Sequence, residues 1–504
     1  MELPDLPAQA AAAMSGRVVR TERRPTTARA MMALAAALVL ALPAVLAFLS
    51  GGYFATGRSL GLIFAFVALA ICAVFAPMPL PTSLDGRLAL AGLAAFCLVT
   101  AALGPMAPAI GPAFADFQRV LLYLVYLSAA IAVLSVLPLR RLAMPALLLG
   151  AFFVCVYAIL GRCLPTVIEQ TDSIAAQGRL EQPISYWNAL GIYAGLGVVM
   201  AAGICARAAG RPRVRAACAA SLPWTGATVA LTLSRGAIAA TLIGLLLVAA
   251  ISRTRAAVAW CSIAAAVALL SGLASLAFPS LREAVREPAA VQPAGLALFG
   301  ILVALTVVAG AAACALRASE MPVGRWAAIS LATLLAITVV GVPVLIATSQ
   351  TDSGAPAGGR SGAVAGRLVS AQGSRLTYWE VALRAFAASP VTGEGPSSFR
   401  VRWLRERPFP EAANDAHSLY VETAAELGLL GLLALFTFGA GALLGAVRAS
   451  RIDPAAAAPV VGVLGAFLVH AGLDWDWEVP TVTLVALTAV GMLVTFPGDH
   501  ESDE

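Results

Sequence analysis

Hydrophobic residues come along this chain in long blocks separated by short charged turns. Fourteen blocks approach the roughly 20 apolar residues that an α-helix needs to cross a bilayer. They fall near residues 31–49, 59–76, 88–104, 120–137, 142–160, 189–206, 216–233, 236–251, 256–278, 294–315, 326–347, 419–447, 457–473 and 480–496. One interval breaks the rhythm: between Gln372 and Gly431 the chain turns polar and reads QGSRLTYWEVALRAFAASPVTGEGPSSFR, then NDAHSLYVETAAELGLLG. The pattern predicts an all-α, polytopic membrane helical bundle of about 14 spans with one long exoplasmic loop. Its parts are an Arg-rich tail over 1–30, spans 1 to 11 over 31–347, the loop over 348–417, spans 12 to 14 over 418–497, and an acidic tail over 498–504.

Composition agrees with the pattern. The chain is 60% hydrophobic and 12% charged, with a mean hydropathy of +0.88, far from the roughly 25% charged residues of a soluble domain. The first thirty residues carry Arg17, Arg20, Arg23, Arg24 and Arg29 ahead of a run long enough to span; they read as a retained cytoplasmic flank rather than a cleaved leader. With the N-terminus inside and alternation thereafter, more than half of the 33 basic residues fall on the cytoplasmic side, including Arg207, Arg211, Arg213 and Arg215 in one turn. The positive-inside rule therefore places both termini in the cytoplasm and the polar interval outside the plasma membrane. Every basic residue is arginine, and the net charge of +6 follows from topology; it implies no nucleic-acid partner. The eight cysteines mostly lie in spans, with Cys163 exoplasmic, and form no disulfide or metal-binding pattern. The Gly/Ala/Pro-rich stretch from Thr351 to Gly366 reads as a linker.

Chemistry concentrates in the polar interval. Leu376, Trp379, Leu383 and Phe386 recur at helical spacing, with Glu380 and Arg384 placed for an i,i+4 pair, so an amphipathic helix is expected up to Ser389-Pro390. The following VTGEGPSSF, which contains Glu394, is a glycine-punctuated loop able to bring backbone close to a ligand. His417 is one of only three histidines, and histidine is the side chain whose ordinary pKa lies nearest neutrality. Arg235 sits between two apolar runs that together would reach about 54 Å at 1.5 Å per residue, too long for one crossing, so the chain turns at Ser234-Arg235-Gly236. Parity puts that turn on the same side as Arg375 and His417. Arginine suits phosphate because its planar fork binds oxygens bidentately. Glu422 and Glu426 share a helix face and, inside a span, call for a partner such as the histidine or an arginine. Asp474-Trp475-Asp476-Trp477-Glu478 offers possible sugar or acceptor contacts, or an aromatic belt residue pair; its carboxylates could also hold a divalent ion, but the arginines make a metal unnecessary.

The order of an SRGA turn between two spans, a loop of the form SR..YW..A...F..SP..GEG..SF, and a histidine entering HSLYVETAAELGLLG resembles the O-antigen ligase/polymerase family over roughly residues 182–431. The family commonly carries His-Asn where this chain has His417-Ser418. The resemblance implies a C-type glycosyltransferase-like architecture, an undecaprenyl-pyrophosphate-linked glycan as donor, a glycan, lipid or protein hydroxyl as acceptor, and no metal or other cofactor. It also aligns Asn188, in PISYWNA, with an asparagine the family tends to keep near the donor.

These lines converge on one expectation. His417 is the catalytic base, Arg235 and Arg375 bind the diphosphate, and Asn188, Glu394, Glu422 and Glu426 support them. A lipid diphosphate is already a good leaving group, so cations and a base suffice. The rival expectation is a polytopic transporter of a lipid-linked or small polar substrate; related halves and interrupted helices at midplane would mark it, whereas here the polar residues collect at one face.

Overall fold

The computed structural model describes residues 26–208, 211–283, 287–315 and 375–497. Among them the regular structure is helical, without a strand: α1 (Thr26–Ala47), α2 (Ala55–Phe75), α3 (Leu84–Leu103), α4 (Ile110–Leu134), α5 (Leu137–Cys163), α6 (Trp187–Arg207), α7 (Pro212–Thr232), α8 (Arg235–Ser252), α9 (Arg255–Leu276), α10 (Pro288–Ala315), α11 (Arg375–Ala388), α12 (Phe399–Glu406), α13 (Leu419–Ile452), α14 (Pro454–Ala471) and α15 (Pro480–Val494). Eleven of these are long and apolar enough to cross a membrane; α15 is apolar but shorter, and α7 carries Arg213 and Arg215 near its start. Each apolar block of the sequence falls on one of these helices except 326–347, which lies outside the described residues, as does the linker from Thr351 to Gly366.

Small residues set which helices meet. A Cβ on Gly92 of α3 would stand 2.2 Å from the Phe438 nitrogen, and one on Gly441 would stand 2.3 Å from the Ala89 nitrogen, so α3 and α13 cross backbone against backbone. Gly244 of α8 and Gly462 of α14 make the same kind of contact, each pointing at the other's carbonyl oxygen at 2.9 and 2.8 Å. Without water to drive association, such close approach is what holds membrane helices together. The second crossing matters for function because it fixes the start of α8 beside the end of α14.

That start is the predicted turn. Leu233 adopts a left-handed conformation (φ 52°) that ends α7, and the Ser234 hydroxyl caps α8 by accepting the Ala237 N–H at 3.3 Å. Serine's short side chain is well suited to this N-cap.

The polar interval folds into a cap over one end of the bundle. α11 runs as expected to Ala388, and Arg384 pairs with Glu380 at 2.7 Å. Its buried face, however, is Tyr378, Val381, Ala382 and Ala385, which join Phe399, Trp403, Ala416 and Ala425 in a small core of their own. Leu376 and Leu383, on the apolar stripe read from the sequence, point outward at 68% and 53% exposure. An apolar stripe at a membrane surface has two possible apolar neighbours, and its periodicity does not distinguish them.

α13 is broken at Gly428 (φ 60°, ψ −153°), and the loop after α11 threads into the break. Leu429 and Leu430 donate their N–H groups to the carbonyls of Pro390 and Val391 at 2.8 and 3.2 Å, while the Ala425 and Glu426 carbonyls accept from Glu394 and Gly395 at 3.1 and 2.9 Å. Backbone freed by the break is thus satisfied by the loop, the condition for irregular backbone within a span. The glycine-punctuated loop therefore brings its backbone against a helix, where the sequence suggested a ligand. Gly428→Ala should lower thermal stability by at least the roughly 1–3 kcal/mol of such backbone strain, since its Cβ would also meet the Val391 carbonyl carbon at 2.5 Å. A melting temperature equal to wild type in detergent would refute this account of the break.

The opposite end is tied by Arg448, which holds buried Asp85 at 2.8 Å and donates to the carbonyl of Phe496 at 2.7 Å.

Candidate functional site

The starts of α6, α8 and α13, the cap and the α14–α15 turn converge on one buried residue, Asp474, which is 1% exposed. Its carboxylate accepts from Arg375 Nη2 (2.5 Å), Asn188 Nδ2 (2.6 Å), Tyr186 OH (2.6 Å) and the backbone N–H of Trp475 (2.9 Å). Burial pushes the Asp474 carboxyl up, but the charges of Arg375, His417 and His470 more than offset it and hold the group below the ordinary aspartate value. Asp474 is therefore an anion that orients Arg375. Among the described residues one donor of that guanidinium is engaged this way and its side chain remains 35% exposed, which leaves further donors of the fork for another acceptor. Arg235, at the exposed first position of α8, lies close enough for its charge to feel that of Arg375.

His417 stands beside this pair. It takes a left-handed conformation (φ 56°) immediately before Ser418, the N-cap of α13. Its Nδ1 lies 3.0 Å from the carbonyl oxygen of Asp415. A carbonyl only accepts, so Nδ1 carries the proton, and in the neutral ring the lone pair is on Nε2. The ring packs against Tyr378 (centroids 5.2 Å) and Trp475 (6.2 Å), and Trp475 stacks in turn on Tyr186 at 4.2 Å. The strained turn is held by Glu422, whose carboxylate accepts the Ala416 N–H at 2.6 Å. Glu422 thus supports the histidine's backbone rather than its ring.

Behind these residues lies a layer of carboxylates. Glu426 accepts the N–H groups of Ser397 and Phe399 at 2.8 and 3.0 Å and so caps α12. Glu394 pairs with Arg402 at 2.9 Å on the cap. Arg119 binds Asp116 at 2.7 Å and Glu478 at 3.4 Å. Asp415, Glu422 and Glu478 are all buried, with ligand oxygens within 4.8 Å of one another. That spacing would admit one cation, but Arg119 and the Ala416 N–H already face two of the three. Burial raises the Asp415 carboxyl and pushes Glu478 well above the ordinary glutamate value.

A second histidine, unused in the sequence reading, completes the arrangement. His470 Nδ1 contacts Asp476 at 2.5 Å, both fully buried, and among the described residues its Nε2 has no hydrogen-bond partner. That nitrogen packs on Gly236, where a Cβ would meet it at 3.1 Å. The turn containing Arg235 therefore rests on an imidazole, and Gly236 leaves room for it.

Of the residues singled out from sequence, His417, Arg375, Asn188, Asp474 and Trp475 form one contiguous group, with Arg235 adjoining through Arg375. Asp476 and Trp477 face inward: Asp476 onto His470, and Trp477 onto Tyr123 (centroids 4.9 Å) and Phe96 (5.8 Å), which places that tryptophan in the core rather than in an aromatic belt. Sequence reasoning passed over Tyr186, Arg119 and His470. The signals were present, since Tyr186 lies within PISYWNA and His470 lies six residues before Asp476.

Fold and site together define a polytopic helical membrane protein with a paired arginine and histidine centre at one end of its bundle. Residues 289–436 match the family model described as O-antigen ligase, and this match supports the O-antigen ligase/polymerase family for the chain. No curated protein matches it. The family points to an enzyme of glycosyltransferase type.

Proposed function

We propose that the protein transfers or polymerises an undecaprenyl-pyrophosphate-linked glycan onto a hydroxyl acceptor at the outer face of the plasma membrane. The observation that carries this reading is the placement of His417, with Nδ1 committed to Asp415 and Nε2 available, beside an arginine locked by Asp474. The donor diphosphate lies against Arg235 and Arg375. His417 Nε2 takes the proton of the acceptor hydroxyl as its oxygen bonds to the anomeric carbon; the bond from that carbon to the diphosphate breaks, and undecaprenyl pyrophosphate leaves as an anion neutralised by the arginines. Asn188 and Tyr186 act through Asp474 on Arg375. The test is transfer by purified protein from a lipid-linked donor to an added acceptor. Accumulation of substrate in proteoliposomes without a new glycosidic bond would instead favour a transporter.

Two further outcomes belong to this reading. A chelator should leave turnover unchanged; loss restored by a divalent metal would shift attention to Asp415, Glu422 and Glu478. With Cys314, the exposed cysteine among the described residues, replaced by alanine, a cysteine at exposed Ile174 should react with an impermeant thiol reagent on intact cells, and one at Pro212 should not. Labelling at Pro212 alone would put the site on the cytoplasmic face.

A further inference from the structure

Next to the His417 turn a cavity of about 160 Å³ is lined by residues that include Tyr53, Arg58, Asp116, Arg119, Arg400 and Asp415. Its lining is unusual in what it leaves unbound. Among the described residues the Nε–H groups of Arg58, Arg119 and Arg400 are all buried without a hydrogen-bond partner, and Arg58 and Arg119 are themselves 8% and 7% exposed. Arg119 is neutralised by Asp116 and Glu478. Arg58 donates to the Tyr53 carbonyl, and among the described residues neither it nor Arg400 forms an ion pair with a carboxylate. Buried donors are nearly always paired, so three unpaired ones on residues around one cavity mark a place where an acceptor group belongs.

The cavity adjoins the reacting centre. Asp415, whose carbonyl fixes His417 Nδ1, forms part of its wall. Tyr53 packs edge-on against Trp475 (centroids 5.3 Å), which faces His417. Tyr53 and Phe54 add aromatic surface at the mouth (5.2 Å). A sugar whose hydroxyl reaches His417 would thus extend its other substituents toward arginines that are separate from the donor pair.

We propose that this cavity is the acceptor subsite, and that it selects a sugar carrying an anionic group, phosphate or carboxylate, close to the accepting hydroxyl. The inference rests on the glycosyltransferase reading above. Guanidinium forks bind both anions bidentately, so the shared chemistry is a planar or tetrahedral oxyanion.

The test uses the full chain in lipid nanodiscs, with binding of glucose 6-phosphate, glucuronate and glucose measured separately from binding of inorganic pyrophosphate. At least one of the two anionic sugars should bind at least tenfold more tightly than glucose, and which of them does identifies phosphate or carboxylate as the recognised group. Arg400→Gln, at a half-exposed position where folding is tolerant, should weaken that binding by about 10- to 100-fold, the effect of one charge-assisted hydrogen bond; Arg58→Gln should do the same. Pyrophosphate binding should remain in both variants and fall in Arg235→Ala. Equal affinity for glucose and both anionic sugars, or anion binding insensitive to Arg400→Gln, overturns the subsite while leaving the donor reading intact. Failure of wild type to bind pyrophosphate would strike the donor reading instead.

Discussion

Replacing His417 with alanine or asparagine is expected to lower transfer by about 10²–10⁴-fold, the usual cost of losing a general base, while donor binding persists. Two variants are needed because of the backbone. His417 sits at φ 56°, a conformation in which asparagine is at home and alanine is strained. His417→Asn keeps the turn and removes Nε2 as base, so a chemical role predicts comparable losses in both variants. A role confined to the turn predicts loss in alanine alone. Near-normal transfer by His417→Asn in a purified, monodisperse protein would remove His417 as the base and direct the search to Asp415.

The second large effect concerns the diphosphate. Arg375→Ala should reduce kcat/KM for the lipid-linked donor by about 10²–10³-fold, comparable to removing one preorganised donor from a charge-stabilising site. Arg375→Lys should recover only part, because a point charge replaces a fork. Asp474→Asn supplies an internal control. It leaves Arg375 in place but removes the anion that holds it at 2.5 Å, so its loss should lie between wild type and Arg375→Ala. A fully active Asp474→Asn enzyme would mean that Arg375 needs no anchor, and the buried network around Asp474 would then be purely structural.

Hydropathy alone displayed most of the scaffold, because a bilayer imposes one length on every crossing helix. It also located the α7–α8 turn, since the combined run was too long for a single crossing. The cap was legible only in part. Its helix and the Glu380–Arg384 pair follow from local spacing, whereas its inward face does not. The purpose of the GEG glycines was hidden for another reason: their partner is the break at Gly428, more than thirty residues onward, and a nonlocal backbone pairing has no periodicity. Arg58 and Arg119 are single charges bordering the apolar blocks 59–76 and 120–137, and their meeting in one cavity depends on which helices cross. His470 looked like a solitary buried histidine because its two neighbours, Asp476 and Gly236, lie on different elements.

The threading of the cap loop through α13 also bears on the order in which the protein becomes competent during synthesis. Residues 390–395 precede α13 in the chain, so the loop is made before the helix whose break it must fill. The part of α13 beyond Gly428 can form as an ordinary helix on its own. The nine residues from Leu419 to Leu427, which carry the Glu422 and Glu426 anchors and begin next to His417, gain their full set of backbone partners only when the loop is in place. Arg235, on α8, belongs to a helix completed much earlier. A copy in which the loop has not entered the break would thus lack the backbone that sets the His417 turn. The joint between the loop and α13 thus couples the folding of the cap to the setting of the His417 turn.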